Sequence, residues 1–428
     1  MTSEPGAYSE AYVWIFLPGR TDPVVAGKLT AQGRQLVFNY GRRYLERDDA
    51  ISLYTPELPL RRGLLPPTPG LHMASCIRDA SPDAWGRRVL INRALGRGAH
   101  DTAQLDELTY LLESGSDRVG ALDFQRSPTE YQARQTANAS LSELLDAARL
   151  VEQGVPLCGG LEQALFHGTS IGGARPKALI EHDGRKFIAK FSSSGDLYNV
   201  VKAEYLAMRL AHLAGLDVAP VELVRAAGKD VLLVERFDRA IAGDAWCRKP
   251  MVSALTLFGL DEMMARYASY QTLAELIRHR FHDPGATLEE LFRRLVFNIL
   301  CGNTDDHARN HAAFWDGHML SLTPAYDLCP QARTGNEASQ AMLIAGNDRS
   351  SRLRTCLSAA ADFHLSAERA ASLVETMVAS IAGNWDRVCS EAGLSEADRR
   401  LLWRRQFLNP SVFEGLEDGL LGSLAPSL

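Results

Sequence analysis

The stretch Gly302-Asn303-Thr304-Asp305-Asp306-His307-Ala308-Arg309-Asn310 decides the reading of this chain. Asp305 and Asn310 stand at the D-x-x-x-x-N spacing of a kinase catalytic loop. The residue types suit that chemistry. A carboxylate can orient a hydroxyl and accept its proton, and an amide oxygen five residues on can ligate Mg²⁺ beside a triphosphate. A helix predicted over 288–301 leads into the loop. Beyond it, residues 312–315 and 319–322 predict a hairpin around Asp316-Gly317-His318, and Thr323-Pro324-Ala325-Tyr326 then leads to Asp327. That puts a second carboxylate where a kinase keeps its main metal-binding aspartate, although Asp327-Leu328-Cys329 is not D-F-G. Two loop-capping carboxylates are the alternative on spacing alone. His307 and His311 stand at i, i+4 without an H-E-x-x-H pattern, so surface or loop packing is their expected role rather than metal ligation. Arg309 reads either as a phosphate contact or as a solvated charge.

Upstream, Ser170-Ile171-Gly172-Gly173-Ala174-Arg175-Pro176-Lys177 lies just before a strand predicted at 178–181. Backbone N–H groups freed by glycine can approach phosphate oxygens closely, which makes Ser170 to Ala174 candidate nucleotide contacts. The motif is neither G-x-x-x-x-G-K-[ST] nor G-x-G-x-x-G, and a plain turn is its alternative. After a His182-Asp183-Gly184-Arg185 turn comes a strand over 186–191, in which Lys190 is the conspicuous charge among apolar neighbours and needs an anionic partner. A helix predicted over 199–214 gathers Ala203, Leu206, Ala207, Leu210 and Ala211 on one face and stops at Gly215. Glu204 borders that face as a partner for Lys190. Two strands follow around Gly228-Lys229-Asp230, the second reaching Glu235 and Phe237. Glycine loop, lysine strand, glutamate helix and returning strands form the order of a protein-kinase N-lobe.

The wider composition agrees with an enzyme-sized globular chain of 428 residues, 46% hydrophobic and 23% charged. A net charge of -6, with basic residues scattered, excludes a massed basic surface for direct grip on nucleic acid. Seven cysteines without a C-x-x-C pair predict core residues in a reducing compartment. A polar, acidic N-terminal stretch and the lack of a long apolar run predict no signal peptide and no membrane span, hence a cytoplasmic chain. Residues 1–125 read as a β-rich α+β unit, with strands at 12–17, 24–29 and 35–40 and helices at 83–95 and 105–113. Residues 126–160 form a linker with a helix at 141–151, residues 161–240 the N-lobe-like part, residues 241–408 an α-rich lobe, and residues 409–428 a tail. Arg87-Arg88 and Arg399-Arg400 are expected on solvated helix faces.

Residues 170–177, Val234-Glu235-Arg236-Phe237-Asp238-Arg239, residues 302–310 and Leu322-Thr323-Pro324-Ala325-Tyr326-Asp327 together resemble the HipA family of bacterial toxin-antitoxin kinases. The motifs fall in the family's order, and the resemblance covers nearly the whole chain. It implies a protein-kinase-like bilobal α+β fold with an additional N-terminal β-rich subdomain. It implies that Asp305 is the catalytic base, that Asn310 and Asp327 ligate Mg²⁺, that Lys190 reaches the ATP phosphates, and that Glu235 with Phe237 forms the adenine hinge. Glu204, His307 and Arg309 would support them. Ser170 is similar to the serine that family members autophosphorylate, where a dianion would repel the nucleotide's own phosphates. The implied substrate is a protein hydroxyl, with aminoacyl-tRNA synthetases among the family's targets. The implied partner is a helix-turn-helix antitoxin, through which alone DNA is met. The chain departs from the family pattern at Arg175, where glutamine is usual, and at Asp306, where a glycine is familiar. A catalytically silent co-repressor and a small-molecule kinase stay open beside this reading.

Overall fold

The computed structural model describes residues 8–95, 105–134, 139–155, 173, 175–193, 195–196, 198–333, 335 and 337–416. The chain forms two compact units, each assembled from separate stretches. Met1–Gly195, Arg225–Val252 and Phe314–His318 make the first, and Asp196–Val224, Ser253–Ala313 and Met319–Leu428 make the second.

In the first unit, β1 (Glu10–Ile15), β2 (Val24–Gln32), β3 (Gln35–Tyr40) and β4 (Leu122–Gln125) form an antiparallel sheet in the order β3-β2-β1-β4. The β2–β3 turn opens at Gly33, whose φ of 61° is a conformation glycine adopts without steric cost. A register shift between Val13 and Trp14 lets consecutive residues of β1 all become buried, breaking the two-residue alternation. Helices α1 (Ala84–Leu95), α2 (Glu107–Glu113) and α3 (Leu141–Glu152) follow the predicted patterns, with Asp106 and Ser140 capping the last two. Arg87 departs from the expected solvated face. It pairs with Glu107 and lies 4.4 Å from the Tyr110 ring centre, because α1 packs beside α2.

The same unit holds β5 (Lys177–His182) and β6 (Arg185–Phe191). Their turn carries Asp183 at φ 49° and Gly184 at φ 67°, the two positive values a tight hairpin demands. β7 (Val221–Ala226) straddles the unit boundary, and β8 (Lys229–Glu235) then pairs antiparallel with β6. This sheet is fastened to the N-terminal one by buried charge. Asp117, just before β4, accepts bonds from Lys186, Arg236 and Arg239, while Asp238 accepts from Arg236, Arg239 and the Gly120 N–H. Burial opposes ionisation of both carboxyls, and the arginines overcome it. Asp117 is held well below its ordinary value and Asp238 is brought down to about 2.

The second unit is mostly helical: α4 (Val200–Leu213), α5 (Tyr270–Arg280), α6 (Pro284–Cys301), α7 (Ala367–Glu391) and α8 (Glu396–Leu402). Asn199, Ser269, Asp283, Ser366 and Ser395 cap their N-termini. α6 starts four residues before its apolar pattern because Asp283 and Pro284 supply a cap and a first-turn proline. From Leu291 its side chains are almost continuously buried, against α5 and α7 among others. Arg399 turns back onto Leu394 O and Ser390 rather than into solvent, whereas Arg400 is exposed as expected. Six cysteines are free and buried, and Cys158 lies outside the described residues. Among the described residues no helix is long and apolar enough to cross a membrane.

Candidate active site

α6 ends at Gly302, with φ 74°. A Cβ there would sit 2.9 Å from the Gln406 carbonyl oxygen, so both conformation and space require glycine. The chain leaves this cap directly into the loop that carries Asp305 and Asn310.

Within the loop the Asp305 carbonyl accepts two bonds, from the His307 N–H at 2.9 Å and from the Asn310 side-chain Nδ2 at 3.1 Å. A short 3₁₀ turn over Ala308–Asn310 closes the far end. Donation by Nδ2 fixes the amide plane of buried Asn310 and leaves Oδ1 as its acceptor end. The Asp305 side chain is exposed and that of Asp306 is 1% exposed, so neighbouring carboxylates point to opposite environments.

Asp327 follows a segment held at both ends. Ala325 exchanges backbone bonds with Asp217 and Ala219, and the Tyr326 hydroxyl donates to Arg309 O at 2.7 Å. The predicted second carboxylate thus follows a residue bonded to the catalytic loop, one position from Asn310. Asp327 itself has φ 59°, a left-handed conformation uncommon outside glycine and found preferentially at functional sites.

The remaining loop residues divide. Arg309 forms an ion pair with Glu262 rather than standing free in solvent. His311 is buried, and its Nε2 lies 2.9 Å from Asp306 Oδ1, while His307 is only part-buried. Among the described residues no group of three or more His, Cys, Asp and Glu side chains could hold a metal ion, which leaves the two histidines without a cage. The Asp327 carboxylate and the Asn310 amide oxygen are the kind of sparse oxygen ligands that would suit Mg²⁺, which keeps waters and takes phosphate oxygens for the rest.

A buried polar chain supports the loop from below. Gln340 donates to Asn303 O, Asn303 donates to Asn298 Oδ1 on α6, and Tyr270 at the start of α5 donates to Asp306. Burial, and then the Asp306 charge, push the Tyr270 phenol far above its ordinary range, so it remains a donor. Sequence reading did not find Tyr270, because 36 residues separate it from Asp306 and no local pattern joins them.

Of the predicted nucleotide residues of the first unit, Lys190 lies on β6, Glu235 ends β8 and Phe237 follows it. Half-buried Lys190 pairs in register with Lys177 of β5 and Leu232 of β8, at the centre of three strands. The Glu235 side chain turns to Arg185 at 3.1 Å. Phe237 packs edge-on against Phe314. Glu204 is buried on α4, in the other unit from Lys190. Ser170, Ile171, Gly172 and Ala174 lie outside the described residues. Gly173 is described, with φ 107°, and its carbonyl accepts from the Trp85 N–H at the start of α1. The Trp85 indole N–H donates to Lys177 O at 3.0 Å, so one N-terminal residue holds both ends of the stretch 173–177. Nothing in the residues around Trp85 marks it out locally.

Residues 169–385 match the HipA-like C-terminal domain, and residues 20–125 match the HipA N-terminal domain. The chain belongs to the HipA family. Among similar proteins, Y4mE of Sinorhizobium fredii, named as a kinase, is 29% identical over 270 residues, covering 56% of this chain and 60% of Y4mE. The serine/threonine-protein kinase toxin HipA of Shewanella oneidensis is 26% identical over 186 residues, 37% of this chain and 42% of that protein. The chain therefore matches less than two thirds of the length of these curated relatives. A chain from the solved Shewanella oneidensis MR-1 complex of HipA, HipB and operator DNA is similar in fold, with a TM-score of 0.68 at 17% identity over 97% of this chain and 99% of that one. The fold is thus the α+β, protein-kinase-like fold of HipA, N-terminal sheet included.

Proposed function

We propose that this chain is an ATP- and Mg²⁺-dependent serine/threonine protein kinase and the toxin of a bacterial toxin-antitoxin pair, acting in the cytoplasm. The observation that carries the proposal is the loop geometry: an exposed Asp305 carboxylate, with the Asn310 amide tethered five residues on to the Asp305 carbonyl. Asp305 orients the acceptor hydroxyl and takes its proton. The hydroxyl oxygen bonds to the γ-phosphorus as the bond from that phosphorus to the β–γ bridging oxygen breaks, and ADP leaves. Asn310 Oδ1 and Asp327 would hold Mg²⁺, which neutralises charge on the phosphates. Lys190 meets the phosphates, the Glu235–Phe237 segment meets adenine, and residues 170–174 cover the phosphates.

The acceptor in this reading is a protein serine or threonine, an aminoacyl-tRNA synthetase being the class that family resemblance implies. Ser170 is a second acceptor, and its phosphorylation opposes nucleotide binding by like charge. The partner is a helix-turn-helix antitoxin, in keeping with the HipB and operator DNA present in the related complex. DNA contact passes through that partner, since the chain's own net charge is -6.

Intact mass of the dephosphorylated chain, before and after incubation with Mg-ATP, tests the proposal. One added phosphoryl group is expected, absent in Asp305→Ala and in Ser170→Ala. An unchanged mass together with no rise in melting temperature on adding Mg-ATP would leave a silent kinase-like module as the better reading.

A further inference from the structure

The departure at Asp306 finds its explanation beneath the loop. Asp306 and Asp305 are adjacent, yet one carboxylate is buried and the other exposed. The buried one accepts at both oxygens: Oδ2 from the Tyr270 hydroxyl, and Oδ1 from His311 Nε2 at 2.9 Å. Tyr270 lies at the start of α5, with its N–H bonded to Leu343 O. His311 lies directly after Asn310, and its carbonyl accepts from the Ala254 N–H at 2.8 Å. Asp306 therefore joins the residue after Asp305 to the residue after Asn310, and anchors both to a core helix.

A glycine at this position could make none of these contacts. The loop would keep the bonds around the Asp305 carbonyl, the tie of Asn303 to Asn298 on α6 and the Tyr326 bond to Arg309 O, but it would lose the link that joins its middle to α5. We infer that Asp306 is a positioning residue: through Tyr270 and His311 it holds the Asp305 carboxylate and the Asn310 amide in the geometry that phosphoryl transfer needs. This inference rests on the kinase reading above. Misplacement of reacting groups by about 1 Å costs on the order of 100-fold in rate while substrate binding elsewhere is kept. A defect in transfer that spares nucleotide affinity is the expected mark of this role.

The substitution Asp306→Asn has a distinctive expectation. Its Oδ1 still accepts from Tyr270, and its Nδ2 can donate to His311 Nε2 if the ring proton moves to Nδ1. That nitrogen is buried without a hydrogen-bond partner among the described residues, so the shifted N–H would go unsatisfied and the recovery is partial.

The test is single-turnover phosphorylation of the full dephosphorylated chain by Mg-ATP. The maximal rate and the half-saturating Mg-ATP concentration are measured separately, beside the melting temperature. Asp306→Ala should lose about 100-fold in maximal rate with half-saturation changed by less than about threefold, and Asp306→Asn should recover at least a tenth of the wild-type rate. Tyr270→Phe, which keeps the ring and removes only the hydroxyl, guards against an Asp306→Ala chain that does not fold, and should lower the maximal rate in the same way. Wild-type rates in Tyr270→Phe and Asp306→Ala would overturn the inference. So would losses that follow the folded fraction alone, with no recovery in Asp306→Asn. Absence of transfer in the wild-type chain would sink the kinase reading itself, and this inference with it.

Discussion

At the scale of single residues, position 302 shows how tightly the catalytic loop is specified. Its left-handed φ and the Gln406 backbone at 2.9 Å leave no room for a side chain. Gly302→Ala is expected to cost about 1–3 kcal/mol, from positive φ and from displaced backbone, read as a lower urea midpoint with an unchanged slope. Asp305, Asn310 and Asp327 could be singled out as candidates because the chemistry proposed for them is written in local spacing. Asp306, Tyr270 and Trp85 could not, since each matters through a partner distant in sequence and two of them sit in otherwise ordinary helix starts.

At the scale of elements, the two sheets of the first unit are fastened by Asp117 and Asp238 against Arg236 and Arg239. In the stretch 234–239, where the family resemblance implies a hinge at Glu235 and Phe237, the structure turns Arg236, Asp238 and Arg239 inward to the loop before β4. Nothing local announces that turn, since alternating charges look the same whether solvated or buried. Removing Asp238 leaves two buried guanidinium groups to share Asp117, so Asp238→Asn should cost about 3 kcal/mol at neutral pH. The acid dependence follows from the depressed carboxyl. Its folded value of about 2 lies below its ordinary 3.8, so the unfolded chain takes up the proton first as pH falls. The stabilisation is complete above about pH 4 and is lost on the way down to about pH 2. Urea midpoints at pH 3 and pH 6 should differ more for the wild-type chain than for Asp238→Asn, and an equal difference would remove Asp238 from the account.

At the scale of the whole molecule, each compact unit draws on stretches far apart in the chain. Hydrophobic periodicity locates elements one at a time, so β3 and the C-terminal end of α6 could be read to the residue while the return of residues 225–252 to the first unit could not. A fragment ending at residue 195 would lack β8, leaving one edge of β6 without its backbone partners, and would lack Arg236 and Arg239 as well. It is expected to be insoluble or to melt without a cooperative transition, as circular dichroism would record.

The Gly302 cap also bears on synthesis. The residues that close over the start of the catalytic loop are Gln406, whose backbone packs against Gly302, and Leu408, whose N–H donates to Leu300 O. At about 5–20 residues per second a ribosome reaches them roughly 5–20 s after Gly302. Throughout that interval the start of the loop that carries Asp305 lacks the backbone that closes over Gly302, so the local geometry around the candidate aspartate is completed only after residue 408 has been made.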